Sequence, residues 1–323
     1  MSAVTAGPRI GSLFTRHRDL SAVLVLAVLV LVFALAARGF TNPANIQSIF
    51  AVATVTACIA IGQNLIILAG EIDVSLGSVL ALSGFCAGFT ALGTRSIVLT
   101  VIVAIVVGAA AGFVNGLLVA FTPVPSIVVT LGTLYAFQGA ALLVSDSRNI
   151  VGLAPEPSVL GSGSLLGIPH SVLTLAVVFV IVLLVRRNTR WGHDLVAIGG
   201  NPVAARTMGV PVRRVMLTTF MLAGALTGVA AVIYLGQLGG LQNSIVNGTT
   251  ILQVVAAVAI GGTSIEGGRG TDAAPILGAL ITGVVSSGIV ILGVPGDWIP
   301  LVYGICLLLA VARDRFIRSG GAQ

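Results

Sequence analysis

The feature that most constrains this chain is the alternation of long apolar runs with very short polar segments. Of its 323 residues, 57% are hydrophobic and only 8% are charged, and the mean hydropathy is +1.12. Because an ordinary soluble domain carries about 25% charged residues, this composition excludes a soluble enzyme, a nucleic-acid-binding module and a disordered regulator. Several runs reach the roughly 17 to 25 residues that a helix needs to cross a bilayer. The sequence therefore predicts an all-α fold, a polytopic transmembrane helical bundle.

About ten spans are predicted. Nine are expected to cross as full helices, and a tenth is short and ends in glycine, as in a broken or partly re-entrant helix. Residues 1–323 are expected to form one transmembrane domain, whose longest internal loop is 186–214. The predicted spans are 20–37, 45–69, 75–92, 97–121, 126–145, 169–185, 215–235, 250–262, 274–293 and 298–312.

All 16 basic residues are arginine, and their placement predicts the orientation of the chain. With ten spans and a cytoplasmic N-terminus, only Arg38, Arg95 and Arg148 lie outside, a strong positive-inside bias that predicts two cytoplasmic termini. The net charge of +6 is therefore a signal of topology and does not indicate an anionic substrate. The absence of lysine also excludes a P-loop, so no ATPase site is expected in this chain. The inside set is Arg9, Arg16, Arg18, Arg186, Arg187, Arg190, Arg206, Arg213, Arg214, Arg269, Arg313, Arg315 and Arg318.

The loop 186–214 contains a predicted short helix over residues 203–208. Asn201 can cap this helix, Pro202 suits its first turn and Gly209 can end it. A helix of one or two turns needs a neighbour to stay folded. The loop is therefore either a basic surface that rests on anionic membrane lipid or a dock for a cytoplasmic partner.

Two short polar segments between spans are predicted to be tight turns. In the first, residues 69–78, Asp73 is expected to N-cap the helix that starts one or two residues later. Catalysis by Glu71 and Asp73 is disfavoured, because no nucleophile accompanies the two carboxylates. The second segment, 260–270, has five glycines in eleven residues, which predicts an inside hairpin in which Glu266 and Arg269 pair.

Polar side chains inside the spans are mostly neutral. They favour a path for an uncharged polyol over an ion or proton relay, and hydrogen bonding between helices is the alternative for each one. The three histidines lack zinc spacing, so no metal site is predicted. The candidate lining residues are Gln63, Asn64, Asn115, Tyr135, Gln138 and Gln253.

Four segments, in order along nearly the whole chain, resemble the ribose-type sugar permeases of bacterial ABC importers. They are Gly62-Gln63-Asn64 with 70–78, then 129–133, then the Ala-Ile-Gly-Gly-Asn segment at 197–206, and last 260–264 with 267–270. The resemblance implies a fold like that of type II ABC importers. Its motif turns carry Glu71, Asp73, Ser75, Gly77, Gly261, Gly262, Glu266 and Arg269.

The resemblance implies a multi-pass permease subunit of the bacterial cytoplasmic (inner) membrane that moves a monosaccharide or similar polyol by alternating access. Its implied partners are a cytoplasmic ABC ATPase, which binds ATP and Mg²⁺, an extracytoplasmic sugar-binding protein, and a second permease copy or a paralogue. This chain itself is expected to bind no cofactor and no nucleic acid.

The resemblance favours a partner dock in the loop 186–214 and implies that 197–209 is the helix that couples the permease to the ATPase. A bulky residue at Gly199 or Ala205 is then expected to uncouple uptake while membrane insertion stays intact. The implied coupling residues are Gly199, Gly200, Asn201, Ala204, Ala205, Arg206, Met208 and Gly209.

One departure bears on the cargo. Where the ribose-type pattern carries Glu-Leu-Asp, this chain has Ile251-Leu252-Gln253, which changes the lining or packing of the short span. A nucleoside, a branched-chain amino acid or a furanosyl signalling molecule are alternative cargoes within the same class. A stand-alone secondary transporter is disfavoured, because it would need an ion site or a proton relay within the spans.

Overall fold

The computed structural model describes residues 18–247 and 249–319. Arg9 and Arg16, which belong to the predicted inside set, lie outside the described residues. The main helices are α1 (Arg18–Ala36), α2 (Pro43–Leu68), α3 (Leu76–Thr94), α4 (Ile97–Phe121), α5 (Ser126–Ser145), the short α6 (Pro155–Ser158), α7 (His170–Asn188), α8 (Arg190–Gly200), α9 (Pro202–Thr207), α10 (Val212–Leu238), α11 (Thr249–Ile260), α12 (Ala274–Ile291) and α13 (Trp298–Ser319). A 3₁₀ helix, Asn243–Asn247, precedes α11.

Every predicted span coincides with a helix. Seven described helices are long and apolar enough to cross a membrane, namely α2, α3, α4, α5, α7, α10 and α12. The apolar parts of α1, α11 and α13 are shorter. A polytopic helical bundle is therefore confirmed, and the number of ten crossings stays a prediction.

Helix α2 lies at the centre of the bundle. Every residue from Ala53 to Leu68 is buried, and the helix contacts α10, α12, α11 and α7. A helix that is apolar around its whole circumference can be covered on all sides only in such a position. The polar residues of α2 between Ala53 and Leu68 are therefore held inside protein and away from lipid.

Helices α4 and α10 pack with their backbones in contact. Small residues recur every fourth position on α4 at Ala104, Gly108 and Gly112, and they face Gly224 and Gly228 of α10. A Cβ atom added to Gly108 would overlap the carbonyl oxygen of Gly224, and one added to Gly228 would overlap that of Ala104. Small residues at this spacing allow the close approach that membrane helices use in place of hydrophobic burial.

The bundle has two distinct ends. At one end, here called the hairpin end, strands β1 (Ser164–Leu165) and β2 (Ile168–Pro169) form an antiparallel hairpin. Its two turn residues have positive φ, as a tight hairpin requires. The Ile150 and Leu241 backbones bridge at the same end. The opposite end holds the C-terminus of α2, the N-terminus of α10, and α8 with α9.

Candidate functional site

Helix α9 is built as its sequence predicts. The Asn201 side chain accepts hydrogen bonds from the Val203 and Ala204 N–H groups, both at 3.0 Å. Pro202 takes the first helical position, and Gly209 has the positive φ of +84° that ends the turn. The cap and the stop predicted for this helix are confirmed.

The rest of the loop differs from the prediction. Residues 190–200 form helix α8, and the extended Asn201 separates it from α9, whereas the resemblance implied one coupling helix over 197–209. Thr189 caps α8 by accepting a hydrogen bond from the Gly192 N–H. Leu195 and Ile198, three residues apart, are fully buried on its inner face. The three polar residues and three glycines among the eleven residues of α8 leave no long apolar run that would mark this stripe in the sequence.

One side of α9 is anchored and the other is exposed. Ala205 is buried, whereas Val203 is 74% and Met208 84% exposed. Gly200, Ala204 and Arg206 are exposed as well. The helix therefore exposes two apolar side chains on a fixed base, Val203 in its first turn and Met208 just after its last residue, and the two together are here called the apolar tip.

The two predicted turns meet the end of α8 in one place, here called the glycine junction and defined by Gly70, Gly199, Gly200, Gly267 and Gly268. The Gly268 N–H donates to the Leu68 carbonyl oxygen at 3.0 Å. A Cβ atom on Gly267 would stand 2.6 Å from the Gly70 Cα, and one on Gly268 would stand 2.8 Å from the Gly200 Cα. Three segments far apart in the sequence thus touch through their backbones, and a Cβ atom at Gly199, Gly267 or Gly268 would overlap a neighbouring backbone.

The 260–270 segment is a tight turn, as predicted. The Ser264 N–H donates to the Arg269 carbonyl oxygen at 2.9 Å, and Gly262 has a φ of +107°. A Cβ atom on Gly261 would overlap the Ala274 carbonyl oxygen. The side chains of Glu266 and Arg269 are exposed, and their pairing stays a prediction.

Asn64 ties this turn to α2. Its Oδ1 accepts a hydrogen bond from the Thr263 hydroxyl at 2.6 Å, and its Nδ2 donates to the Thr271 carbonyl oxygen at 3.3 Å. Asn64 is therefore a structural link at the base of the glycine junction.

A second link at this end was not predicted. The Asp272 carboxylate pairs with Arg186, and it also accepts from Arg187 Nε at 2.8 Å. The pair joins the end of α7 to the start of α12, and Arg187 and Asp272 are 85 positions apart in the sequence. No local spacing rule detects a pair so distant in sequence.

Asp73 has a different position from the one predicted. Helix α3 begins at Leu76 and its N-cap residue is Ser75, so the prediction that Asp73 is the N-cap was wrong. The buried carboxylate accepts from the Ser75 N–H and hydroxyl, both at 2.7 Å, and from Asn115 Nδ2 at 3.1 Å. Burial raises the pKa of the Asp73 carboxyl, while these hydrogen bonds act in the opposite direction. The cluster fastens the start of α3 to α4.

Hydroxyl groups of α5 hold the same segment from the other side. The Ile72 N–H donates to the Ser126 hydroxyl and the Val74 N–H to the Thr130 hydroxyl, both at 3.2 Å. Glu71 is half-buried beside them, and Gly77 is buried in the first turn of α3. The first and second family segments are thus one hydrogen-bonded unit.

The six candidate lining residues do not converge on one site. Asn64 and Asn115 take part in the structural links above, and Tyr135 and Gln138 lie on α5, where Tyr135 is 71% exposed. Gln253 donates from Nε2 to the Thr56 hydroxyl at 3.1 Å. Gln63 is fully buried, and its two side-chain polar atoms have no partner among the described residues. Within residues 18–247 and 249–319, no group of three or more His, Cys, Asp or Glu side chains could hold a metal ion.

Several known transport permeases are similar in sequence to this chain over nearly its whole length. The chain is 35% identical over 301 residues to the ribose import permease protein of Bacillus subtilis (strain 168), covering 92% of this chain and 93% of that protein. It is 34% identical over 299 residues to the L-arabinose ABC transporter permease protein of Azospirillum brasilense, covering 92% and 87%. It is 31% identical over 303 residues to the autoinducer 2 import system permease protein of Yersinia pseudotuberculosis serotype O:3 (strain YPIII), covering 94% and 86%.

Residues 45–311 match the family described as branched-chain amino acid transport system, permease component. The match spans most of the chain and includes both turns of the glycine junction together with α8 and α9. The chain therefore belongs to this family of transport-system permease components.

Proposed function

We propose that this chain is the permease subunit of an ATP-driven importer and that α8 and α9 are the surface on which its ATPase docks. The observation that carries the proposal is the apolar tip of α9, Val203 and Met208, exposed on a helix whose base is fixed. A force applied at this tip reaches α2 through the glycine junction. ATP and Mg²⁺ act in the ATPase, and residues 186–214 transmit its closure to the bundle.

The assembly that we propose has ten crossings, both termini in the cytoplasm of a bacterial cell and a second permease copy or paralogue beside this one. An extracytoplasmic binding protein delivers the solute at the hairpin end. Alternating access then follows if ATP binding favours one of two arrangements of the helices through contacts at α9.

A monosaccharide is the cargo that we propose, because two of the similar proteins described above are named for ribose and L-arabinose. A third, the D-allose transport system permease protein of Escherichia coli (strain K12), is 33% identical. A branched-chain amino acid is the second candidate, since the family description names that class. The relative named for autoinducer 2 supports a furanosyl signalling molecule as a further alternative.

The dock is tested by Val203→Asp. An acidic residue in the first turn of α9 suits the helix N-terminus, so the helix stays folded while its apolar tip acquires a charge. In proteoliposomes with the ATPase and the binding protein, ATP-dependent uptake of D-ribose, L-arabinose or D-allose should fall by about tenfold or more. Val203→Ile, the matched control, should transport as the wild type does.

Two outcomes would contradict the proposal. Normal uptake and normal co-purification of the ATPase with Val203→Asp would remove α9 from the dock. Uptake by the permease alone, in vesicles without an ATPase, would show a stand-alone transporter.

A further inference from the structure

A cavity of about 450 Å³ opens between α2, α3, α10 and α11 toward the hairpin end of the bundle. Its polar lining consists of Ser48, Thr56, Tyr234, Gln237, Thr250 and Gln253, and the remainder is aliphatic. No carboxylate or guanidinium is among the described residues that line it. Apolar walls with a few fixed polar groups are typical of small-molecule sites.

Two glutamines give this cavity directed hydrogen-bonding groups. Gln237 Nε2 donates to the Ala51 carbonyl oxygen at 3.1 Å. A backbone carbonyl only accepts, so the orientation of this amide is fixed and its Oε1 is left as the acceptor. Gln253 bonds the Thr56 hydroxyl, which can donate or accept, so its amide can present either group. The lining therefore offers at least one acceptor and one group that adapts to its ligand.

One further polar side chain, Gln63, lies on the same face of α2 beyond the cavity. At 100° per residue, Val52, Thr56 and Gln63 lie on one face of the helix, and Gln63 is about 10 Å beyond Thr56 toward the opposite end. Val52 and Thr56 line the cavity. Gln63 is fully buried, and its amide has no partner among the described residues. An unsatisfied buried amide lowers stability, because it has lost its hydrogen bonds to water, so it is an unfavourable choice for packing alone.

We infer that this cavity is a binding subsite for a neutral polyhydroxylated solute within a single permease chain, and that Gln63 is the next hydrogen-bonding group on its route. The inference rests on the proposed function and adds the side chains that would recognise the solute. Sugar hydroxyls both donate and accept, which suits carboxamides and hydroxyls, and the C–H faces of a sugar ring suit Tyr234 and the aliphatic walls. A zwitterionic amino acid would need counter-charges that the described lining lacks.

The test compares three glutamines of the assembled importer, each replaced by leucine. D-ribose, L-arabinose and D-allose serve as probes for ATP-dependent uptake in proteoliposomes, and thermal unfolding is measured on the same variants. Gln253→Leu should lower kcat/KM for the transported sugar about tenfold. Gln63→Leu should lower uptake to a similar degree while its melting temperature stays equal or rises, because the variant loses an unsatisfied buried amide.

Gln47→Leu is the matched control, since Gln47 lies on the exposed surface of α2 and does not line the cavity. It should leave both measurements unchanged. Wild-type transport of a sugar by Gln253→Leu and Gln63→Leu would overturn the subsite while the proposed function stands. Transport of L-leucine in place of all three sugars by the wild-type importer would overturn the proposed cargo and the polyol assignment together.

Discussion

Neighbouring glycines at the end of α8 differ in their surroundings. A Cβ atom on Gly199 would overlap the Leu68 carbonyl oxygen and approach the Gly268 nitrogen to 2.6 Å, whereas nothing lies within 4 Å of one on Gly200. Gly199 is thus required by packing. This changes the expectation for bulky residues at Gly199 and the buried Ala205, because they would disturb the fold as well as the coupling.

We predict that Gly199→Ala destabilises the permease and that Gly200→Ala does not. Both changes improve helix propensity equally, so their difference reports the glycine junction. Because Gly199→Ala forces α8 away from α2, its free energy of unfolding should fall by about 1 to 3 kcal/mol or more. The loss should be measured as a lower melting temperature in detergent. Equal melting temperatures for the two variants would contradict the contact.

Single residues were predictable from the sequence where their partners are local. Asn201 caps α9 because its acceptors are the N–H groups two and three residues ahead. Asp73 was misplaced, because its position depends on Asn115, 42 residues away, as well as on Ser75. The residues that surround Asp73 in the sequence do not indicate so distant a partner.

At the scale of elements, the apolar runs predicted every main helix except the short α6, α8 and α9, and α9 was predicted from its cap and stop residues. A long apolar run is enough to predict a helix that faces lipid or a buried core. Along the whole length of such a helix the side chains must be apolar and the backbone must form its own hydrogen bonds. Helix α8 lies across the end of the bundle, and its Trp191 donates from Nε1 to the Thr218 hydroxyl of α10 at 2.8 Å. Its stability depends on that neighbour and on only a few apolar residues of its own.

The contact between α4 and α10 leads to a prediction about helix packing. Gly112→Val should separate the two helices, because a Cβ atom at Gly112 would overlap the Phe220 carbonyl oxygen. We expect a loss of about 1 to 3 kcal/mol or more, measured by thermal unfolding in detergent.

Gly139→Val in α5 is the matched control, because nothing lies within 4 Å of a Cβ atom at Gly139. Both variants place valine in the interior of an apolar helix, so the intrinsic helix propensity cancels. A Gly112→Val protein as stable as Gly139→Val would show that the two backbones are not in contact.

At the scale of the whole molecule, the orientation rests on the arginine distribution. Val203 and Val151 are exposed at opposite ends of the bundle, with Val151 next to the Ile150 bridge. In cells without the ATPase, and in a background in which Cys58, Cys86 and Cys306 are replaced by alanine, Val203→Cys should react with a membrane-impermeant thiol reagent only after the cells are opened. Val151→Cys should react in intact cells, and the reverse pattern would invert the proposed topology.

The sequence by itself determined the class of fold, the location of the apolar helices, the cap of α9 and the two glycine turns, because each depends on composition or on residues within one or two turns of each other. Only the tertiary structure decided that the two turns meet α8 in one junction, that Asn64 and Asn115 are structural links, and that Gln253 lines a cavity while Gln63 is buried farther along α2. These relations join residues tens to hundreds of positions apart. Their physical cause is the close packing of backbones and buried polar groups, which a linear pattern of apolar and polar residues does not encode.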